Sequence, residues 1–273
     1  MVARARAYPA HIIERLDQIT GDAHQVIYAH RDFGLARLLK LVTQDFPRAV
    51  RAQARYVWLS TIAFIVPLIV LGLLVHKQPE LILSVADPQT AAMYEEMYSS
   101  HSESIGRRRD ANTDMVMFGH YIRHNIGIAF RCFASGLLAG IGSLFFLAFN
   151  GVQIGAIAGY LTERGLSATF YSFVATHSSF ELTAIVLSGA SGLRIGHSIL
   201  APGRQTRIQS LVVAARESVV IVYGCAGMLL IAATIEAFWS SAQWIPPIVK
   251  YSVAGICWSG VFAYFTWQGR RAS

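Results

Sequence analysis

Val57-Trp-Leu-Ser-Thr-Ile-Ala-Phe-Ile-Val-Pro-Leu-Ile-Val-Leu-Gly-Leu-Leu-Val75 contains no charged residue. A helix rises about 1.5 Å per residue, and the hydrocarbon core of a bilayer is about 30 Å thick. The stretch is therefore predicted to cross a membrane as one helix. Pro67 lies inside it, which a membrane helix tolerates because its neighbours can satisfy the freed carbonyl. Arg48, Arg51 and Arg55 precede it, so its N-terminal end is expected on the cytoplasmic side.

The whole chain is biased the same way. Of its 273 residues, 54% are hydrophobic and 14% charged, where a soluble domain carries roughly 25% charged residues. The expected fold class is all-α, a polytopic transmembrane helix bundle. The net charge of +7 sits beside apolar runs, as the positive-inside rule requires. No RRM, zinc-finger or helix-turn-helix pattern accompanies it, so nucleic acid is not an expected partner. Cys132, Cys225 and Cys257 all lie in apolar runs, without metal-ligand spacing or a disulfide framework. The first 30 residues lack an apolar core. No cleavable signal peptide is expected, and the first membrane helix serves as insertion signal.

Residues 1–56 read as a cytoplasmic, basic, amphipathic segment, and residues 57–273 as the membrane domain. Ile12, Ile13, Leu16 and Ile19 have helical spacing, as do Leu35, Leu38, Leu39 and Val42, with Arg37 and Lys40 beside them. Such a segment can lie on anionic lipid. Residues 76–120 form a predicted outer loop rich in Glu and Asp, although Arg107, Arg108 and Arg109 lie close to the next run. The later apolar runs are Ile126–Phe149, a short piece from Gly151 to Leu161, residues 168–200, Leu211–Glu236 and Ile248–Trp267. Pro202, Gly203, Arg204 and Arg207 make a basic break, and Arg270 and Arg271 end the last run. With both termini inside, parity requires residues 151–163 to cross as a short helix or to dip in and return. Six membrane segments are expected, one of them short or re-entrant.

Gly136 and Gly140 are four apart; so are Gly151, Gly155 and Gly159, and Gly192 and Gly196. Small residues one turn apart let helix backbones approach closely. The stripes serve helix packing or a dimer interface.

Charged groups inside a membrane are costly, by roughly 2.5–3.5 kcal/mol at the centre on insertion scales. Arg131, His177, Glu181 and Glu236 nonetheless lie in apolar runs. In the expected topology all four fall in the outer half of the bilayer, where Arg131 can pair with Glu181 or Glu236. They are read as a buried polar cluster. A proton or ion pathway is a second reading. A metal site is a third, with His120 or His124 as a further ligand, although the local pattern lacks H-E-x-x-H. No G-x-S-x-G elbow, P-loop or dinucleotide fingerprint is present. No catalytic residue, cofactor or resident metal is assigned.

Four stretches carry a resemblance. They are Tyr121-Ile-Arg-His-Asn125, the glycine-rich run from Gly136 to Gly159 with Asn150-Gly151 at its centre, Thr176-His-Ser-Ser-Phe-Glu181 followed by Gly192 to Gly196, and Ala232-Ala-Thr-Ile-Glu-Ala-Phe238. In order and spacing they resemble the stage II sporulation protein M family of bacterial membrane proteins, over roughly residues 120–240. Ser178 stands where that family commonly has Gly after the His. The resemblance implies an integral component of a cell-envelope machine that works with peptidoglycan-degrading enzymes. The expected function is a non-enzymatic scaffold in the bacterial inner membrane, organising envelope or peptidoglycan-remodelling partners. Homo-oligomers, a dimer at simplest, are expected with it. The alternatives are an ion- or proton-coupled transporter or channel, and an intramembrane metal-dependent enzyme.

Overall fold

The computed structural model describes Arg15 and residues 34–99, 111–242 and 244–270. The stripe at Ile12, Ile13, Leu16 and Ile19, the Arg107–Arg109 run and Arg271 lie outside the described residues. Residues 1–41 and 42–273 form separate units. In the first, helix α1 (Leu35–Lys40) leaves Leu35, Leu38 and Leu39 exposed.

Among its described residues the second unit consists of helices and their connections, with no strand. A short helix α2 (Phe46–Ala52) precedes α3 (Ala54–Lys77). A 3-10 turn at Pro79–Ser84 leads to α4 (Pro88–Tyr98). Then come α5 (Ala111–Ala134), α6 (Ile141–Glu163), α7 (Ser167–Val174) and α8 (Ser178–Leu200). Helix α9 (Arg207–Thr234) continues through a π-helical turn at Ile235–Ser240, and α10 (Pro247–Trp267) ends the described fold.

Four of these are long and apolar enough to cross a membrane: 54–77, 141–163, 207–240 and 247–267. Helices α5 and α8 have the length but carry more polar residues. For α8 the reason is position: Ala184 to Leu193 is buried without interruption, because α8 packs against α3, α5, α6, α9 and α10. A helix sheathed by other helices need not be apolar on every face. The outer helices carry the exposed apolar surface.

The expected span Ile126–Phe149 does not exist as one helix. Helix α5 ends at Ala134, a 3-10 turn covers Ser135–Leu137, and the chain reverses at Ala139 (φ 54°) and Gly140 (φ 83°). Glycine accepts that left-handed backbone without steric cost. Residues 151–163 are thus the second half of the 23-residue α6, neither short nor re-entrant. Helices α5 and α6 instead form a hairpin about this turn. The apolar run 168–200 is likewise broken, at residues 175–177, into α7 and α8.

Contacts at the helix ends define two faces. At one, Arg48 Nε donates to the Gly269 carbonyl (2.8 Å) and Arg51 Nη1 to that of Phe265 (2.9 Å), while the Tyr56 hydroxyl bonds His197 Nδ1 (2.8 Å). The 135–140 turn and the 201–206 connection belong to this arginine-rich end. At the opposite end, residues 79–98 fold back over the bundle as a ledge. Ile82, Ala91 and Tyr98 share one core with Val75, Tyr160, Leu161, Phe170 and Phe173. Tyr98 meets Phe170 edge-on at 5.2 Å, and Glu95 takes both the Tyr160 hydroxyl and Arg164.

The glycine stripes are consumed inside the chain. A methyl group at Gly151, Gly155 or Gly159 would stand 2.3, 2.2 and 2.2 Å from the carbonyl oxygens of Phe64, Leu68 and Gly72 in α3. Gly136 and Gly140 meet Gly192 and Gly196 of α8 in the same way. These seven residues are helix-packing contacts, and the dimer reading of the stripe is replaced.

The basic break opens α9 with a capping box. Thr206 Oγ1 accepts from Gln209 N (3.2 Å), and Gln209 Oε1 accepts from Thr206 N (3.1 Å). Thr206→Ala should cost about 1 kcal/mol. The check is amide exchange at residues 207–210, which should quicken while exchange in the middle of α9 stays unchanged.

Candidate functional site

His177 and Glu181 are one turn apart at the α7–α8 junction, and Glu236 projects from the π-helical turn that extends α9. One donor atom from each lies within 4.8 Å of the other two. His177 Nε2 is 3.8 Å from Glu181 Oε2. The residues that sequence placed in one cluster do converge, with the exception of Arg131. Its side chain is exposed and its Nε donates to the Gly127 carbonyl of its own helix (3.1 Å). The physical reason is the true start of α5 at residue 111. This puts Arg131 six residues beyond Asn125, about 9 Å of helix rise towards the arginine-rich end, with its side chain turned away from the cluster. Arg131→Gln should change stability by no more than about 0.5 kcal/mol, read as an unshifted thermal midpoint in nanodiscs.

The surroundings of His177 are specific. It is 4% exposed. Its Nδ1 bonds Ser240 Oγ at 2.9 Å, and the Phe173 ring stands edge-on at 5.4 Å. The wider π turn supplies both Glu236 and Ser240, four residues apart. π turns recur at functional sites because they re-aim side chains that an α-helix would point elsewhere.

Two polar groups at the site are poorly satisfied. Glu236 Oε2 is buried with no hydrogen-bond partner among the described residues. Asn125 is 2% exposed and its amide lies near enough to Glu236 to act as a weak donor, though its Nδ2 makes no hydrogen bond of good geometry among the described residues. A buried unsatisfied group costs about 1–3 kcal/mol, so a poorly satisfied Glu236–Asn125 contact calls for an explanation. Outside the spans, Tyr98 overlooks the site from the ledge. Burial first, then the nearby Glu236 carboxylate, holds its phenol well above the usual range, so it stays a hydrogen-bond donor.

A cavity of about 230 Å³ adjoins the cluster, lined among others by Ser99, Ser172, Phe173, Ser240, Ser241 and Lys250. Lys250 is buried and its Nζ donates to the Ser240 carbonyl at 2.7 Å. Ser240 and Phe173 thus touch both His177 and the cavity.

His120 and His124 do not join. Their rings stack at 6.0 Å on an exposed face of α5. Asn125 lies in a motif legible in sequence, but its role beside Glu236 was not. Ser240 and Lys250 carried no signal, since a serine after an apolar run and a lysine near a helix start are ordinary.

The family model described as Stage II sporulation protein M matches residues 60–241. The matched range takes in the ledge, the three converging donors, Asn125 and Ser240, and stops before α10. No curated protein and no solved structure matches the chain.

Proposed function

We propose that this chain, which belongs to the stage II sporulation protein M family, is a non-enzymatic scaffold of the bacterial inner membrane that organises peptidoglycan-remodelling partners. The arginine-rich end is assigned to the cytoplasm by the positive-inside rule, which places both termini inside and the ledge outside. The supporting observation is that ledge. Residues 79–98 are clamped from below by Tyr98, Ile82 and the Glu95–Arg164 pair, while Leu83 and Met93 stay exposed among Glu80, Asp87 and Glu96. A surface held rigid before binding loses little entropy when a partner docks. Self-association, proposed with it, uses a surface other than the internal glycine stripes.

The transporter reading asks for titratable groups strung along an aqueous path; His177, Glu181 and Glu236 instead gather at one point. The test is peptidoglycan turnover, read as release of labelled muropeptides, in cells lacking the chain. Turnover should fall and be restored by the wild type, and not by Leu83→Glu/Met93→Glu inserted at equal level. Unchanged turnover without the chain, or full rescue by the double variant, sinks the reading.

A further inference from the structure

We propose that His177, Glu181 and Glu236 bind one divalent first-row transition cation, with zinc the ion that suits the donor set. Charge is the first argument. Two carboxylates and an imidazole face one another away from water, and such groups do not stay charged without compensation. Among the described residues neither carboxylate forms an ion pair with a lysine or arginine, and Glu181 meets only His177. A bound dication supplies the missing positive charge.

Geometry is the second. Zinc takes imidazole nitrogen and carboxylate oxygen at about 2.0–2.2 Å, so tetrahedral donors lie roughly 3.4 Å apart. The observed 3.8 Å separation and 4.8 Å limit close to that by rotations of two Glu side chains. A ligating histidine usually donates its other N–H to a neighbouring acceptor, which fixes the tautomer. Ser240 Oγ occupies Nδ1 at 2.9 Å, leaving Nε2 for the ion.

Third, Glu236 and Asn125 are poorly satisfied. Glu236 Oε2 makes no hydrogen bond of good geometry, and its buried polar neighbour, the Asn125 amide, approaches it only as a weak donor. A cation satisfies the first directly. Turning the amide over presents Oδ1 to the ion instead; amide orientation is assigned from the network it joins. The adjoining cavity bordered by Phe173 and Ser240 leaves space for a water or other fourth ligand. The inference does not depend on the scaffold reading, since the site would bind metal whether it clasps helices or supports chemistry.

The experiment uses the full chain in lipid nanodiscs, equilibrated with zinc chloride, desalted, and assayed for metal content by mass spectrometry. The wild type should retain about one zinc per chain, as a three-ligand site implies. His177→Ala and Glu236→Gln should retain none. The His120→Ala/His124→Ala double variant should retain the wild-type amount. Ser240→Ala keeps all three ligands and should bind zinc about 10–100-fold more weakly, which keeps the test decisive where a ligand variant fails to fold. Overturning results are absence of bound zinc in well-folded wild type, undiminished zinc in His177→Ala, or a Ser240→Ala affinity equal to wild type.

Discussion

Gly155→Leu should prevent a folded bundle from forming. The α3–α6 pairing is the most extensive helix contact in the structure, and it rests on backbone against backbone. A methyl group at 155 would sit 2.2 Å from the Leu68 carbonyl oxygen, where ordinary contact begins near 3.4 Å. Even alanine therefore forces α3 and α6 apart by about 1 Å, and leucine by more. Overpacked soluble cores lose about 1–3 kcal/mol. Here the obstacle is a carbonyl in a helix, which cannot swing aside as a side chain does, and separation at 155 also opens the contacts at Gly151 and Gly159. The loss should exceed that range. The readout is the monodisperse fraction after extraction and the thermal midpoint in nanodiscs. Gly227→Leu is the matched control: it sits in α9 with nothing within 4 Å of its Cβ position and should behave like wild type.

Phe46→Ala should produce the next largest effect. Phe46 is 3% exposed and meets Phe265 edge-on at 5.3 Å and Tyr264 at 6.1 Å. Its ring also lies where a side chain at Gly224 would be, with a Cβ there 2.3 Å from Phe46 Cδ2. The residue shares a core with Val50, Ile221, Cys225 and Leu229, and so ties α2 to α9 and α10. Truncating a buried Phe to Ala costs about 3–5 kcal/mol through lost burial and a residual cavity. The thermal midpoint should fall, and limited proteolysis should begin within residues 42–56. A midpoint unchanged from wild type would show that α2 is not held by this ring. The residue lies outside the family-matched range, so its effect would also show that the fold extends beyond that range.

The membrane character of the chain was written in its composition and in runs such as Val57–Val75, because lipid exposure demands unbroken apolar sequence. Helix breaks were harder to read. A turn made of Ser135, Gly136, Leu137, Leu138, Ala139 and Gly140 is as apolar as the helices on either side. Hydropathy therefore merged the end of α5 with the start of α6. That error moved Arg131 into the cluster and made a full-length helix look re-entrant. Helix α8 was legible as part of the apolar run 168–200, but the break at residues 175–177 that separates it from α7 was not. His177 and Glu181 were legible as a pair by their four-residue spacing. The convergence of Glu236 and Ser240 was not, because it depends on a π turn that no local periodicity announces.

Topology is the claim on which the ledge, the hairpin and the position of the metal site all depend. In a variant with Cys132, Cys225 and Cys257 replaced by alanine, single cysteines at Gln89 and Leu138 can be reacted with a membrane-impermeant maleimide in intact cells and in inverted vesicles. The account expects Gln89→Cys to label only from outside and Leu138→Cys only from inside, since the 135–140 turn shares the arginine-rich end. Labelling of both from one side, or a Leu138→Cys inert from either side as the middle of a single 126–149 span would be, would contradict it.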